Sequence, residues 1–271
     1  MKRRHSLRTL VLAPLRLLYA AWAIGTFLIV GLAALLLLLV LPREIQRRRA
    51  ARAAARLYLT LAGMPLTVTA AARLPPGQCV VVCNHASYLD GIVLTAALPP
   101  QFAFVIKREM AGFPMAGALL KRLGSQFVER SDRQKSAVDA RRVLRNATQG
   151  QSVVFFPEGT FTQQAGLHKF HAGAFVTAAR VGCPLVPAVV RGTRRALPPG
   201  LGVPHPARIE LEILQPLHPQ QGGAELTVSA LRDRARSAML TALGEPDLTC
   251  CDDTDPLPDT EHARSVPASR P

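Results

Sequence analysis

The chain has 271 residues, of which 49% are hydrophobic and 19% are charged. This balance excludes a disordered chain and a collagen-like one, and the length allows one domain with a full hydrophobic core plus accessory segments. Its 33 Lys and Arg residues against 18 Asp and Glu residues give a net charge of +15, which indicates nucleic acid or an anionic membrane as partner. Aromatic residues make up only 5% of the chain, which argues against a base-stacking surface.

The most concentrated positive charge surrounds a long apolar run near the start of the chain. The first 60 residues hold 11 basic residues and one acidic residue, and residues 17–41 contain no charged side chain. A helix of that length can cross a bilayer core of about 30 Å. The run is longer than the apolar core of a secretory signal, which has about 7–15 residues. We therefore predict a retained membrane anchor within a basic segment at 1–61, and membrane lipids rather than nucleic acid as partner.

Basic residues lie on both sides of this run, so its topology stays open. The positive-inside rule gives a slight preference for a cytoplasmic C-terminal side, which would place the rest of the chain at the inner face of a cell membrane. A helix that re-enters one leaflet would instead place both basic flanks at the same face. The basic stretch at 44–61 is typical of a helix, which either lies along anionic head groups or crosses solvent to the domain.

Beyond residue 65, short apolar strands alternate with helices. We predict strands at 79–83, 102–106, 152–156, 185–190 and 208–214, and helices near 90–98, 114–123, 132–148, 172–181 and 226–243. Alternation of this kind predicts an α/β domain at 62–244 with a mostly parallel sheet flanked by helices. The acidic tail at 245–271 is rich in Pro, Asp and Ser, and we expect it to be disordered.

The cysteines do not form the framework of a disulfide-rich protein. Cys79, Cys83, Cys183, Cys250 and Cys251 are too few for a chain of this length, and a reducing compartment is the natural inference. Two of them precede His85 in the pattern of a partial zinc site, but no further ligand cluster follows. We predict buried thiols and no metal site.

A histidine and an aspartate follow the strand predicted at 79–83. His85 lies two residues beyond it and Asp90 five residues later, and ligand sites in open α/β sheets gather at the carboxyl ends of strands. An imidazole can accept a proton near neutral pH, and a carboxylate can orient it and stabilise its charge. We predict a general base at His85 with Asp90 as its partner, and a structural hydrogen bond is the alternative. The chain lacks a G-x-S-x-G nucleophile elbow, so the nucleophile would belong to the substrate.

A second polar segment follows the strand predicted at 152–156. Here Pro157 is followed by Glu158, Gly159 and Thr160. Glycine allows a close approach of the backbone, and the flanking carboxylate and hydroxyl can bind a polar ligand. Taken alone, the segment is equally typical of an ordinary loop after a strand.

Together, the two segments and the blocks between and after them resemble the glycerolipid acyltransferases, and most of all the 1-acyl-sn-glycerol-3-phosphate acyltransferases. The resemblance covers about residues 65–215. In chain order, the matching blocks are His85 to Asp90, Lys107 to Met110 with Phe127 to Arg130, Phe156 to Thr160, and Phe170 to Phe175 with Val186 and Pro187.

The resemblance implies a fold like that of glycerol-3-phosphate acyltransferase and an acyl transfer at a membrane face, in the inner membrane with the domain facing the cytoplasm. His85 would deprotonate the free hydroxyl of a lysolipid, and Asp90 would orient His85. The hydroxyl oxygen would then attack the thioester of acyl-CoA or acyl-carrier protein, giving phosphatidic acid. Neither a cofactor nor a nucleic-acid partner is implied.

The resemblance also implies residues that bind the acceptor. Lys107 and Arg130 would bind its phosphate, as cations suited to a dianion. Asn84 would support the catalytic turn. The residues implied to hold the glycerol part are Glu158, Gly159 and Thr160.

One residue departs from the family pattern. Phe161 stands where relatives that act on lysophosphatidic acid often have an arginine after Glu-Gly-Thr. This weakens the case for a phosphomonoester acceptor and leaves room for another lysolipid, such as a lyso-ornithine lipid. Lys169, His168 or Arg191 would be needed to compensate.

Two further alternatives lie outside acyl transfer between lipids. A thioesterase would use His85 to activate water. A non-catalytic basic protein at a membrane or on nucleic acid would explain the charge without using His85, Asp90 or Glu158.

Overall fold

The sheet and its helices alternate through most of the chain. The computed structural model describes residues 7–129, 132–200, 202–221 and 224–249. Two helices come first, α1 (Leu7–Val40) and α2 (Glu44–Leu61). The strands that follow are β1 (Leu66–Thr69), β2 (Val80–Cys83), β3 (Phe102–Lys107), β4 (Gln126–Val128), β5 (Ser152–Phe155), β6 (Leu185–Arg191) and β7 (Ile209–Ile213), with a small hairpin of β8 (Gln220–Gln221) and β9 (Ala224–Glu225).

Helices connect most of these strands. In chain order they are α3 (Leu89–Ala97), α4 (Pro114–Arg122), α5 (Arg133–Thr148), α6 (Gly173–Val181), the short α7 (Thr193–Ala196) and α8 (Val228–Leu243), with single 3₁₀ turns at Ala71–Arg73 and Arg108–Gly112. Gly182 and Gly244 follow α6 and α8 in the left-handed conformation, which ends both helices.

The sheet is mixed but mostly parallel, as predicted. Its strands lie in the order β1-β7-β6-β2-β5-β3-β4. Neighbouring strands are parallel throughout except at the β6–β7 pair, which is antiparallel. The sequence analysis missed β1 and β4, because β1 is half-exposed with alternating threonines and β4 has only three residues.

Both faces of the central strands are buried, which explains their continuous apolar sequence. Along β2, Val81 and Cys83 face a core beneath α2 and α3, whereas Val80 and Val82 face a second core beneath α5, α6 and α8. The parallel strands β2, β3, β4, β5 and β6 all end at the same edge of the sheet. The loops at this edge hold the residues predicted to be functional.

α1 and α2 form an antiparallel hairpin against the domain. The Tyr19 hydroxyl donates to the Ala62 carbonyl at 2.8 Å, and the Phe27 ring meets the Tyr58 ring edge-on, with centroids 5.5 Å apart. Small side chains at Ala20, Ala23 and Ala34 on α1 are buried, and this allows close packing. α1 therefore lies along the domain instead of standing apart from it.

The opposite face of α1 is apolar and exposed. Leu17, Ile24, Ile29 and Leu36 are among the exposed large side chains there. Residues Pro14–Val40 have a mean hydropathy of 2.8, so by length and composition this helix is apolar enough to cross a membrane. The position of the apolar segment agrees with the sequence analysis.

Three arginines of α2 bind the ends of neighbouring helices. Arg48 donates to the Leu123 carbonyl at 2.9 Å, Arg52 to the Ala97 carbonyl at 3.0 Å, and Arg56 to the Ala96 carbonyl at 2.8 Å. These carbonyls lie at the C-terminal ends of α3 and α4, where unpaired carbonyl groups attract cations. The sequence analysis did not predict these contacts, and both head-group binding and a solvated link stay predictions for this helix.

The domain also extends further than predicted. Glu245 accepts a hydrogen bond from the Gly166 amide at 2.8 Å, Leu248 is buried, and Asp247 lies 2.5 Å from Arg236. The boundary predicted at 245 is thus too early, because these residues pack on the loop after β5 and on α8. The rest of the predicted tail, with Cys250 and Cys251, lies outside the described residues.

Candidate active site

The turn between β2 and α3 brings His85 and Asp90 together. Asp90 lies in the first turn of α3, and its Oδ2 is 2.8 Å from His85 Nδ1. The same oxygen accepts the amides of Ala86 at 2.6 Å and Ser87 at 2.8 Å, as a carboxylate does at a helix N-terminus. The turn therefore folds the aspartate back across five residues. With Nδ1 bound to a buried carboxylate, Nε2 is the nitrogen left to accept a proton.

Asn84 fastens this turn to the neighbouring strand β6. Its side chain donates to the Val190 carbonyl at 3.0 Å and accepts from the Val190 amide at 2.8 Å. The buried amide thus continues the β2–β6 ladder one step beyond the backbone pairing. The side chain therefore holds the turn to β6, and a role of Asn84 in substrate binding stays a prediction.

Glu158 links the turn that holds His85 to the loop after β5. Its Oε1 accepts the His85 amide at 2.7 Å and its Oε2 accepts the His168 amide at 2.9 Å. Burial raises the pKa of Glu158 to about 7, although both hydrogen bonds and Arg236 oppose the shift. These contacts position His85, and they are a different role from the acceptor binding predicted from the sequence.

The next two predicted residues lie at the surface of the same loop. Gly159 has a φ of 77° and donates to the Phe156 carbonyl at 3.1 Å, so the tight turn requires glycine. Thr160 is exposed. Both lie in the loop that carries Glu158, and their role in acceptor binding stays a prediction.

Aromatic rings enclose the His85 imidazole, which the sequence analysis did not predict. Phe156 stacks on it with centroids 4.2 Å apart, and Phe161 meets it edge-on at 4.4 Å. Tyr88 then packs on Phe161 at 4.8 Å. The residue that replaces the usual arginine is therefore part of the wall beside the imidazole. The sequence feature that could have indicated this aromatic wall is the phenylalanine on either side of Glu158, at positions 156 and 161.

Two nucleophilic side chains near His85 are already engaged. Cys83 is fully buried, and burial followed by the charges of Asp90 and Glu158 raises its pKa well above the ordinary value. The Ser87 hydroxyl donates to the Leu197 carbonyl at 2.8 Å and accepts from the Leu89 amide at 3.2 Å. Neither is suited to carry an acyl group, because a reactive thiol needs a low pKa and an accessible position.

A charged cluster lies at the ends of β3 and β4. Lys107 is half-exposed, with its ammonium 3.1 Å from Glu109. Arg108 lies 2.6 Å from Asp139, which also accepts the Glu129 amide at 2.9 Å. The sequence analysis did not predict this second cation. Arg130, the other predicted phosphate ligand, lies outside the described residues.

The residues considered as substitutes for the missing arginine differ in position. Arg191 lies 2.9 Å from Glu212, so it is neutralised within the sheet. His168 Nε2 lies 3.1 Å from the Thr162 hydroxyl, in the loop beside Glu158. Lys169 is exposed in the same loop. His168 and Lys169 thus lie in the loop that contacts Glu158, whereas Arg191 is paired within the sheet.

Known proteins share this sequence pattern and fold. The family model Acyltransferase matches residues 65–191. A chloroplastic 1-acyl-sn-glycerol-3-phosphate acyltransferase from Brassica napus is 30% identical over 162 residues, covering 59% of this chain and 46% of that protein. The lyso-ornithine lipid O-acyltransferase of Pseudomonas aeruginosa is 28% identical over 198 residues, covering 67% and 74%.

A solved structure shows the same fold. The 1-acyl-sn-glycerophosphate acyltransferase PlsC from Thermotoga maritima superposes with a TM-score of 0.70 at 19% identity, over 86% of this chain and 95% of that one. The chain spans 39% to 61% of the length of the first three curated relatives that it matches. The ordered motifs, the family model Acyltransferase over residues 65–191 and the shared architecture make this chain similar to the glycerolipid acyltransferases in sequence and in fold.

Proposed function

We propose that this protein is an O-acyltransferase that moves an acyl chain from acyl-CoA or acyl-carrier protein to a lysolipid hydroxyl. The observation that carries the proposal is the His85–Asp90 pair at 2.8 Å, held at the carboxyl edge of the sheet by Glu158. Relatives named for the acylation of 1-acyl-sn-glycerol-3-phosphate support that lipid as acceptor and phosphatidic acid as product.

The reaction needs two proton transfers at His85, one from the acceptor hydroxyl and one to the leaving thiolate. His85 Nε2 takes the proton of the acceptor hydroxyl as its oxygen bonds to the thioester carbonyl carbon. Asp90 stabilises the imidazolium that forms. When the tetrahedral intermediate collapses, the carbon–sulfur bond breaks and the departing thiolate takes the proton from His85. Direct transfer fits the engaged states of Cys83 and Ser87, because no acyl-enzyme is required.

The exposed apolar face of α1 supports a location of the protein at a membrane. Its large side chains would be costly to leave in water over this area, and a lysolipid acceptor resides in a bilayer. We propose that α1 inserts into the cell inner membrane, with the sheet domain on the cytoplasmic side, where acyl-CoA and acyl-carrier protein are found.

A lysolipid without a phosphomonoester is the second candidate acceptor. The specific observation is Phe161, which packs against His85 and Tyr88 where an arginine would supply positive charge. The similarity to a lyso-ornithine lipid O-acyltransferase supports the same alternative.

The test is an assay of the purified full chain with labelled acyl-CoA or acyl-carrier protein and one acceptor at a time. Lysophosphatidic acid, lyso-ornithine lipid and no acceptor form the panel, and products are identified by mass spectrometry. Diacyl product from lysophosphatidic acid supports the leading proposal, and product from lyso-ornithine lipid alone supports the second.

Release of free fatty acid without any acylated lipid would identify a thioesterase. Salt-sensitive DNA binding without turnover would favour the non-catalytic alternative.

A further inference from the structure

A groove opens at the carboxyl edge of the sheet, on the side of His85 away from Lys107. Its volume is about 560 Å³, within the usual range of roughly 300–1,000 Å³ for sites that bind small molecules. Three segments line it: the residues after α2, the turn after β6 and the residues before β7. Pro65, Gly192, Arg195 and Arg208 are among its lining residues.

Two exposed cations, Arg195 and Arg208, line this groove. Nearby, Arg191 pairs with Glu212 and Arg194 with Glu245. Within the described ranges, Arg195 and Arg208 have no such carboxylate and no hydrogen-bond partner. Two like charges on one concave surface repel each other, so an anion bound between them would be stabilised by both. Guanidinium groups suit phosphate, since they donate two hydrogen bonds in a fixed plane.

The walls that carry these arginines are locked together. Gly192 has a φ of +88°, and a Cβ there would lie 2.1 Å from the Arg208 carbonyl oxygen. The turn after β6 is therefore in direct contact with the start of β7. The Ile209 amide also donates to the Pro65 carbonyl at 2.9 Å. The groove is thus formed before any ligand arrives, which lowers the entropy cost of binding.

The same walls are tied to the catalytic turn. Asn84 binds both backbone groups of Val190 in β6, and Ser87 donates to the carbonyl of Leu197, which follows α7. Because β2 and β6 are neighbouring strands, the groove begins about one strand spacing, roughly 5 Å, from the turn that holds His85. A ligand anchored in the groove can therefore extend a flexible arm to the imidazole.

We propose that this groove binds the 3′-phosphoadenosine diphosphate end of acyl-CoA, with Arg195 and Arg208 holding its phosphates. The inference rests on the proposed acyl transfer and names its donor. Cations for the acceptor lie on the β3 side of His85, so a donor entering from the β6 side brings the two substrates together from opposite directions. The pantetheine arm then spans the distance from the groove to His85. A groove of this volume suits a nucleotide better than the broad acidic surface of a carrier protein.

The experiment compares Arg195→Ala/Arg208→Ala with the charge-matched control Arg122→Ala/Arg180→Ala. The control arginines are exposed and lie at the ends of α4 and α6, at the opposite edge of the sheet. We expect the groove variant to raise the KM for acyl-CoA about 30- to 100-fold, on the basis of roughly tenfold for each charge-assisted contact. Its kcat and its KM for the lysolipid stay unchanged, and the control behaves like the wild type.

A donor without the 3′-phosphate provides a second readout. The wild type should prefer acyl-CoA to acyl-dephospho-CoA, and the groove variant should lose that preference. A KM for acyl-CoA that stays at the wild-type value overturns the inference while leaving acyl transfer intact. The inference is also overturned if the groove variant changes only the KM for the lysolipid, only the KM for acyl-carrier protein, or only the binding of phosphatidylglycerol vesicles. In each case the groove binds an anion other than the nucleotide of acyl-CoA.

Direct binding separates this inference from the proposed function. Calorimetric titration with adenosine 3′,5′-bisphosphate needs no turnover, and the groove variant should bind it at least tenfold more weakly than the wild type. If no lysolipid is acylated yet this difference is found, the nucleotide site stands and the acyl-transfer proposal fails. If wild type and variant bind the bisphosphate equally, the nucleotide site is overturned.

Discussion

The two parts of the site around His85 and around Lys107 are held by opposite kinds of interaction. Asp90 and Glu158 are buried, and their carboxylates accept hydrogen bonds from the imidazole and from backbone amides. Lys107 and Glu109 instead form a pair in which each side chain is about half-exposed. Proton transfer needs a fixed geometry, whereas an exposed ion pair can exchange one anion for another. Substitutions should therefore have much larger effects in the first part than in the second.

The largest effect is expected at the catalytic pair. His85→Ala removes the base, and Asp90→Asn places an amide N–H against Nδ1, which favours the tautomer that cannot accept a proton at Nε2. We expect both variants to lose about 10³- to 10⁴-fold in kcat, measured as acylated lipid formed from labelled acyl-CoA.

A matched variant makes this loss interpretable. His218 is exposed and remote from the turn, so His218→Ala should keep full activity. Thermal unfolding followed by circular dichroism should give His85→Ala a midpoint close to that of the wild type. If a folded His85→Ala protein keeps more than a tenth of the wild-type rate, the mechanism is wrong.

The second effect concerns stability and pH. Because burial raises the pKa of Glu158 from 4.5 to about 7, the folded state binds more protons than the unfolded state between these values. The free energy of unfolding contributed by this group therefore falls as pH rises from about 5 to 7 and is constant above that. The total change is on the order of 2–3 kcal/mol.

Glu158→Gln removes this titration. The variant also loses one acceptor for the His85 or His168 amide, which lowers stability by a constant amount but leaves no slope from residue 158. Urea unfolding at several pH values should show the difference between wild type and variant decreasing from pH 5 to 7. A difference independent of pH would mean that Glu158 stays ionised in the folded protein.

Much of the fold and the contact between His85 and Asp90 could be predicted from sequence, for identifiable reasons. Strands such as β2 are buried on both faces and so read as continuous apolar runs. The spacing of His85 and Asp90 is local, and a single turn brings them together. By contrast, the contact of Phe161 with His85 depends on how two distant loops pack. The binding of Arg52 to the end of α3 likewise depends on tertiary packing, which composition alone does not show.

The third effect is a change of acceptor preference at Phe161. Phe161→Arg restores positive charge after Glu-Gly-Thr and should raise selectivity for lysophosphatidic acid over lyso-ornithine lipid about tenfold, the value of one charge-assisted contact. It should also lower kcat a few-fold, because the ring edge that meets the imidazole at 4.4 Å is lost. Phe161→Leu is the control, since it removes the ring without adding charge. Equal selectivity in both variants would show that the charge is not what decides the acceptor.

The smallest effect on activity is expected at Lys107. Whether KM or kcat changes there tests the contrast between the buried part of the site around His85 and the exposed part around Lys107. Lys107→Ala removes a cation and leaves Glu109 unpaired, so the local charge near an acceptor phosphate becomes negative. The KM for lysophosphatidic acid should rise about three- to tenfold with kcat unchanged, and the effect should shrink in high salt because the pair is exposed. Lys107→Ala/Glu109→Gln should recover part of the loss, whereas Lys121→Ala, at the opposite edge of the sheet, should change nothing. If Lys107→Ala instead lowers kcat as strongly as Asp90→Asn, the exposed cluster belongs to the catalytic machinery, and the division between a fixed and an exchangeable part of the site fails.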